Sequence, residues 1–199
     1  SYLNEDLFEN SEAEFSITFD KLKSAYDSLK NEYNHLDAAY FENRDNDFIS
    51  MEKAYRNYFM EKLEMRKLFA KGTVSPTFSN YENHKGGTTS LSDFKGKYVY
   101  IDIWATWCGP CNVEIPYLKK IESKYHDKNI VFVSISVDDD RRSGTMERAH
   151  DAWKKMVTEK ELTGVQLFTG NGWKANFVQD YKVKGIPRFI LIAPDGTVV

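Results

Sequence analysis

Cysteine is nearly absent: 199 residues hold two. Two cysteines cannot build a multi-bridge disulfide framework, nor supply four zinc thiolates. His35, His84, His126 and His150 are scattered, and none stands at ligand spacing from a cysteine. No metal is therefore expected. No apolar run approaches the roughly 18 residues a membrane helix needs, so no transmembrane segment is expected. A formal net charge of −3 gives no general attraction to nucleic acid or to an anionic membrane. Repeats and low-complexity tracts are missing as well. The chain opens at Ser1 with no methionine, charged n-region or apolar h-region, which reads as a processed or trimmed product, so that any export signal would already be gone.

What remains is ample for a folded core. Hydrophobic residues make up 41% and aromatics 15%, as in packed globular domains. Charge is uneven: residues 1–75 carry 10 basic and 15 acidic side chains, residues 76–199 carry 17 and 15. That asymmetry predicts two parts, an N-terminal helical region over 1–75 and a second domain over 76–199.

Residues 1–16 are polar and aperiodic and read as a weakly ordered lead-in. Leu22, Tyr26, Leu29, Tyr33, Leu36 and Tyr40 then recur at alternating spacings of four and three, one stripe of a helix. Asn43-Arg44-Asp45-Asn46-Asp47 supplies turn and cap residues and should end it. Met51, Tyr55, Tyr58-Phe59 and Leu63 form a second stripe, closed by Lys71-Gly72 and Pro76. Together these predict an antiparallel helical hairpin over about 18–70. Residues 72–96, rich in Gly, Thr, Ser and Asn, read as a linker. From Lys97 the pattern alternates: strand 98–104, helix 110–126, strand 130–137, helix near 145–159, an extended piece 165–168, helix near 173–181, strand 188–193 and the start of a strand at 197–199. Such alternation predicts an α/β sheet with helices on both faces and its first two strands parallel.

The two cysteines fall inside this alternation, as Trp107-Cys108-Gly109-Pro110-Cys111, at the junction of a buried strand and an amphipathic helix. A Cys-x-x-Cys so placed points to reversible thiol–disulfide chemistry. At a helix N-terminus the Cys108 sulfur faces unpaired N–H groups and the positive end of the helix dipole, which favour the thiolate. Pro110 lacks an N–H and suits the first helical turn. Cys111 lies one turn on and should be the more buried. Cys108 is then the attacking sulfur and Cys111 the resolving one.

Several separate matches carry a resemblance. Trp104-Ala105-Thr106-Trp107-Cys108-Gly109-Pro110-Cys111 is similar to the active-site segment of thioredoxins. Pro116 matches that superfamily's helix-kinking proline, and Gly185-Ile186-Pro187 matches its cis-proline segment. Cys111-Asn112-Val113-Glu114-Ile115-Pro116 follows the Cys-x-x-Glu-x-Pro form of the TlpA/ResA-like thiol–disulfide oxidoreductases. Over residues 76–199 the chain resembles that group, with an insertion around 138–172. The resemblance implies a thioredoxin-like fold, a central mixed sheet with helices on both faces, preceded by the all-α hairpin. On this reading the fold's C-terminal strand and helix are truncated, since the chain stops just after the Asp195-Gly196 turn.

The resemblance also implies roles. Asp102, six residues before Cys108, matches the buried acid that assists the resolving cysteine; by alternation it shares a strand face with Tyr100 and Trp104, and burial would raise its pKa. Glu114, one turn past Cys111, can approach the same thiol. Two acids near the sulfurs would oppose the helix dipole and keep the Cys108 pKa from falling far below neutral. Trp107, Gly109, Pro110, Ile186 and Pro187 would form the active-site loop and the substrate surface, with Pro187 cis. Arg188 departs from thioredoxins, and either pairs with Glu114, biases substrate choice, or is a plain surface charge. No cofactor is implied beyond the redox-active Cys108–Cys111 disulfide.

The expected activity is reduction of protein disulfides, at a potential between about −270 and −180 mV. Expected partners are protein thiol or disulfide substrates and an upstream electron donor. By family the location is periplasmic, or otherwise outside a bacterial cytoplasmic membrane. A peroxiredoxin-like peroxidase is the alternative, although Ile101 and Ala105 stand where its Pro and Thr belong. The tyrosine-rich hairpin could also serve docking, or a homodimer through the helical region.

Overall fold

The computed structural model describes residues 11–35 and 38–199. Most of the expected lead-in and Leu36 lie outside them. The chain divides into two compact units, Ser1–Phe69 and Ala70–Val199. This junction precedes the expected 75/76 boundary because residues 72–75 are held by the second unit. Gly72 N–H donates to the Val198 carbonyl (2.8 Å), and Ser75 N–H to that of Gly196 (3.0 Å).

In the first unit, α1 (Glu12–Glu32) starts earlier than expected. Ser11 caps it: its Oγ accepts the Glu14 N–H at 3.3 Å, while the Glu14 carboxylate accepts the Ser11 N–H at 2.9 Å. This reciprocal box fixes the start of the helix and brings Phe15 and Phe19 into it. The second helix, α2 (Ala38–Leu68), runs straight through Asn43–Asp47, which corrects the expected break there. Asp45 is satisfied within the hairpin, accepting from Tyr26 Oη at 2.8 Å and Lys30 Nζ at 2.5 Å, so the polar cluster need not leave the helix. Contacts pair Phe15 with Phe59, Phe19 with Tyr55, and Tyr26 with Phe48, so the helices are antiparallel. The buried cluster is Phe15, Phe19 and Phe59, flanked by Leu22, Tyr55 and Leu63. The far half of the expected stripe, Leu29, Tyr33 and Tyr40, is exposed.

The second unit is built on a six-stranded mixed sheet. Its strands are β1 (Tyr81–Asn83), β2 (Thr88–Thr89), β3 (Tyr98–Trp104), β4 (Ile130–Ser136), β5 (Val165–Phe168) and β6 (Arg188–Ile192), in the order β2-β1-β5-β4-β3-β6. Parallel pairing joins β3 to β4 and β4 to β5; β6 runs antiparallel to β3, and β1 antiparallel to β5. The expected linker thus contributes a hairpin to the sheet. Gly86 and Gly87, both at positive φ, turn the chain between β1 and β2. Helix α3 (Gly109–Tyr125) links β3 to β4. The short α4 (Asp140–Ser143) and α5 (Met146–Glu159) link β4 to β5, and α6 (Asn176–Asp180) precedes β6. The helix expected over 173–181 is broken into a 3-10 turn at Gly172–Lys174 and α6. Ile101, Ile103, Ile135, Leu167 and Trp153 are fully buried in the core. At the C-terminal end of the chain, Ala193 N–H donates to the Thr197 carbonyl across the turn at Gly196.

Candidate redox site

The site forms where β3 ends. Tyr98–Trp104, β-branched and aromatic apart from Asp102, is buried on both faces from Ile101 to Trp104 and delivers the chain into the short segment Ala105–Trp107. Cys108 is the N-cap of α3, Pro110 lies in the first turn, and the helix carries Pro116 in its interior. The Cys108 Sγ accepts the Cys111 N–H at 3.1 Å. Cys108 and Cys111 are joined in a disulfide with Cα atoms 5.2 Å apart. An N-cap position gives a sulfur both a donor N–H and the favourable end of the helix dipole.

Both cysteines are 4% exposed. The expected gradient, with Cys111 the more buried, is therefore not present in the disulfide form, where each sulfur lies against the other. Gly109 and Pro110 are exposed, and Trp107 is 37% exposed. The Ile186–Pro187 peptide is cis. Arg188 follows on β6, exposed, with Ile103 as its β3 partner in the register. Among the described residues no ion pair joins Arg188 to Glu114.

Asp102 is buried in β3, as expected, and Tyr100, Asp102, Trp104 and Cys111 all line one cavity of about 40 Å3. Such a volume admits a water molecule. Burial, reinforced by the negative charge of Glu114, pushes the Asp102 carboxyl up to about 7. Glu114 is half-buried, and its charge is felt at both Asp102 and Tyr100. The parallel register sets Asp102 beside Ser134 and Ser134 beside Gln166, so one row of polar groups crosses three strands. Asp102 Oδ1 and Gln166 Oε1 are buried with no hydrogen-bond partner among the described residues.

The structure adds a second buried acid to the site. Asp138, just past β4, is wholly inaccessible to solvent. It accepts the Thr106 N–H at 3.1 and 3.0 Å, the Thr106 hydroxyl at 2.6 Å and the Ser136 hydroxyl at 2.7 Å. Burial raises its pKa while these donors pull it down. Asp138 thus fastens the segment before Cys108 to the end of β4. Sequence offered one signal: an acidic run, Asp138-Asp139-Asp140, at the carboxyl end of a buried strand, where open α/β sheets build their sites.

The Redoxin family matches residues 70–199. The thiol–disulfide oxidoreductase ResA of Bacillus thuringiensis is 29% identical over 147 residues, covering 73% of this chain and 74% of its own. The thioredoxin domain of a thiol–disulfide oxidoreductase from Bacteroides vulgatus has TM-score 0.56 and 33% identity, covering 66% of this chain and 86% of that one. A solution structure of a thiol–disulfide oxidoreductase from Bacteroides vulgatus has TM-score 0.52 and 45% identity, covering 66% and 79%.

Proposed function

This chain belongs to the Redoxin family, among the ResA-like thiol–disulfide oxidoreductases, and from that premise we propose that it reduces protein disulfides through a mixed disulfide on Cys108. The observation that carries the reading is the Cys108 sulfur at the N-cap of α3, accepting the Cys111 N–H. In the dithiol form that N–H and the helix dipole stabilise a Cys108 thiolate. The thiolate attacks one sulfur of a substrate disulfide; the other sulfur leaves as a thiolate and takes a proton. Asp102 draws the proton from Cys111 across the shared cavity, and the Cys111 thiolate attacks Cys108 Sγ. The second substrate thiol leaves, and the Cys108–Cys111 disulfide forms. Two electrons have passed from the dithiol to the substrate. A pKa near 7 suits Asp102 to accept and return a proton at neutral pH. Trp107, Gly109, Pro110, Ile186 and Pro187 frame the substrate surface on this reading, and an upstream dithiol donor resets the disulfide.

Location outside the cytoplasmic membrane belongs to the same proposal, by likeness to ResA. Among the described residues no helix is long and apolar enough to cross a membrane. Exposed Leu29, Tyr33 and Tyr40 support an association role for the helical unit through a homodimer, which sedimentation of the full chain would read directly.

Single-cysteine variants test the mechanism. Cys108→Ser should abolish reduction of insulin disulfides. Cys111→Ser should retain the attack and accumulate mixed disulfides with insulin, seen as a mass increase that dithiothreitol reverses. A Cys108→Ser protein that still reduces insulin would overturn the assignment of the attacking sulfur.

A further inference from the structure

The Asp138 network does more than hold a loop. Thr106 is tied to Asp138 by its N–H and its hydroxyl, so Trp107 and the segment that follows β4 are fastened together. The next residue, Asp139, is the N-cap of α4; its Oδ1 accepts the Arg141 N–H at 3.2 Å. Its side chain is packed against Gly172, where an added Cβ would lie only 2.5 Å from Asp139 Cβ. The turn bearing Arg142 is thereby fixed from two directions. Arg142 lies over the Trp107 indole, its guanidinium carbon 5.0 Å from the ring centroid.

The two arginines of this turn differ. Arg141 reaches back to Asp139 at 3.9 Å. Arg142 is exposed, and among the described residues it makes no ion pair. A guanidinium resting on an aromatic face keeps its in-plane N–H fork available for a carboxylate. Its position is already restricted by the ring, so less side-chain entropy is lost on binding. The supporting indole belongs to the residue immediately before Cys108. Arg188, exposed beyond cis-Pro187, adds a second cation at the end of β3, and also makes no ion pair among the described residues. The acid nearest in sequence to the cysteines, Glu114, exerts its charge on buried Asp102.

We propose that Arg142, seated on Trp107, is a specificity-determining residue that receives a carboxylate flanking the target disulfide. The preferred substrates are then disulfides set in acidic segments. This rests on the oxidoreductase reading above and names its substrate class.

Three peptides test it, each closed by one disulfide and differing only in whether two Glu, two Gln or two Lys flank a cysteine. The reduced full-length protein is mixed with each, and second-order rate constants are followed by chromatography at low salt. The Glu peptide should be reduced about fivefold faster than the Gln peptide, the upper end of what an exposed ion pair supplies. The Lys peptide should be slowest. The preference should shrink in about 0.5 M salt, where exposed charges are screened. In Arg142→Gln the Glu-to-Gln ratio should fall toward one, and Arg142→Glu should invert the order to favour Lys. Wild type reducing all three at one rate overturns the proposal alone. A ratio unchanged in Arg142→Gln also overturns it, leaving Arg142 only to support the indole. A protein inert toward all three overturns the oxidoreductase reading and this proposal with it.

Discussion

Asp102 shows how one side chain links the chemistry to stability. Burial and the charge of Glu114 place its folded pKa at about 7. In the unfolded chain an aspartate titrates near about 4. The folded protein therefore holds a proton that the unfolded chain has released, and stability from this group is present at low pH and lost as pH rises through the folded value. Asp102→Asn is neutral throughout. Its stability relative to wild type should rise between about pH 4 and about pH 7 and then level off. Urea midpoints of both oxidised proteins across that range provide the check, and parallel curves would show that Asp102 does not carry the shift. The same variant should slow insulin reduction, because the acceptor for the Cys111 proton is gone. Asp102 was legible in the sequence through its distance from Cys108 and its place in an alternating strand. Asp138 showed only as part of an acidic run: its partner Thr106 is distant in sequence, and the pairing of β3 with β4 brings the two together.

At the level of elements, local pattern located β3, α3, β4, α5 and β5 closely: α5 buries Ala149, Trp153 and Val157 four residues apart, and β3 and β5 are short, nearly continuous buried runs. It failed where an element is defined by a partner. The β1–β2 hairpin has only five residues in strands and too little apolar pattern to announce itself; β5 supplies the edge that makes it a sheet. Helix α2 crosses Asn43–Asp47 because Lys30 and Tyr26 on α1 satisfy Asp45. The turn at Gly172 shows the same dependence. Its φ is +54° and its missing side chain makes room for Asp139. Gly172→Ala would meet the Asp139 Cβ at 2.5 Å in a backbone conformation that disfavours any Cβ. Asp139 must then shift, and α4 with it. We expect a loss of about 1–3 kcal/mol in denaturant unfolding. Because α4 carries Arg142, the tryptophan fluorescence of the folded variant should change as well. An unperturbed spectrum would mean that α4 does not depend on the fit at Gly172.

For the whole molecule, the division at Phe69/Ala70 separates a small core from a large one. Among the described residues the helical unit buries three phenylalanines, Phe15, Phe19 and Phe59, whereas the redox unit buries side chains from all its longer strands and from α5. A two-helix unit with so little buried surface has a thin margin of stability. Phe59 stacks on Phe15 at 4.1 Å between ring centroids and sits at the centre of that core. Phe59→Ala should cost about 3–5 kcal/mol, enough to unfold a marginal unit. The disulfide, the residues lining the Asp102 cavity and the Asp138 network all lie within residues 70–199. Helical circular dichroism at 25 °C should therefore drop in Phe59→Ala, while the rate of insulin reduction and the midpoint of the main denaturant transition stay at their wild-type values. If reduction falls together with the helical signal, the two units fold as one, and the helical region is part of the machinery that holds Cys108 in place.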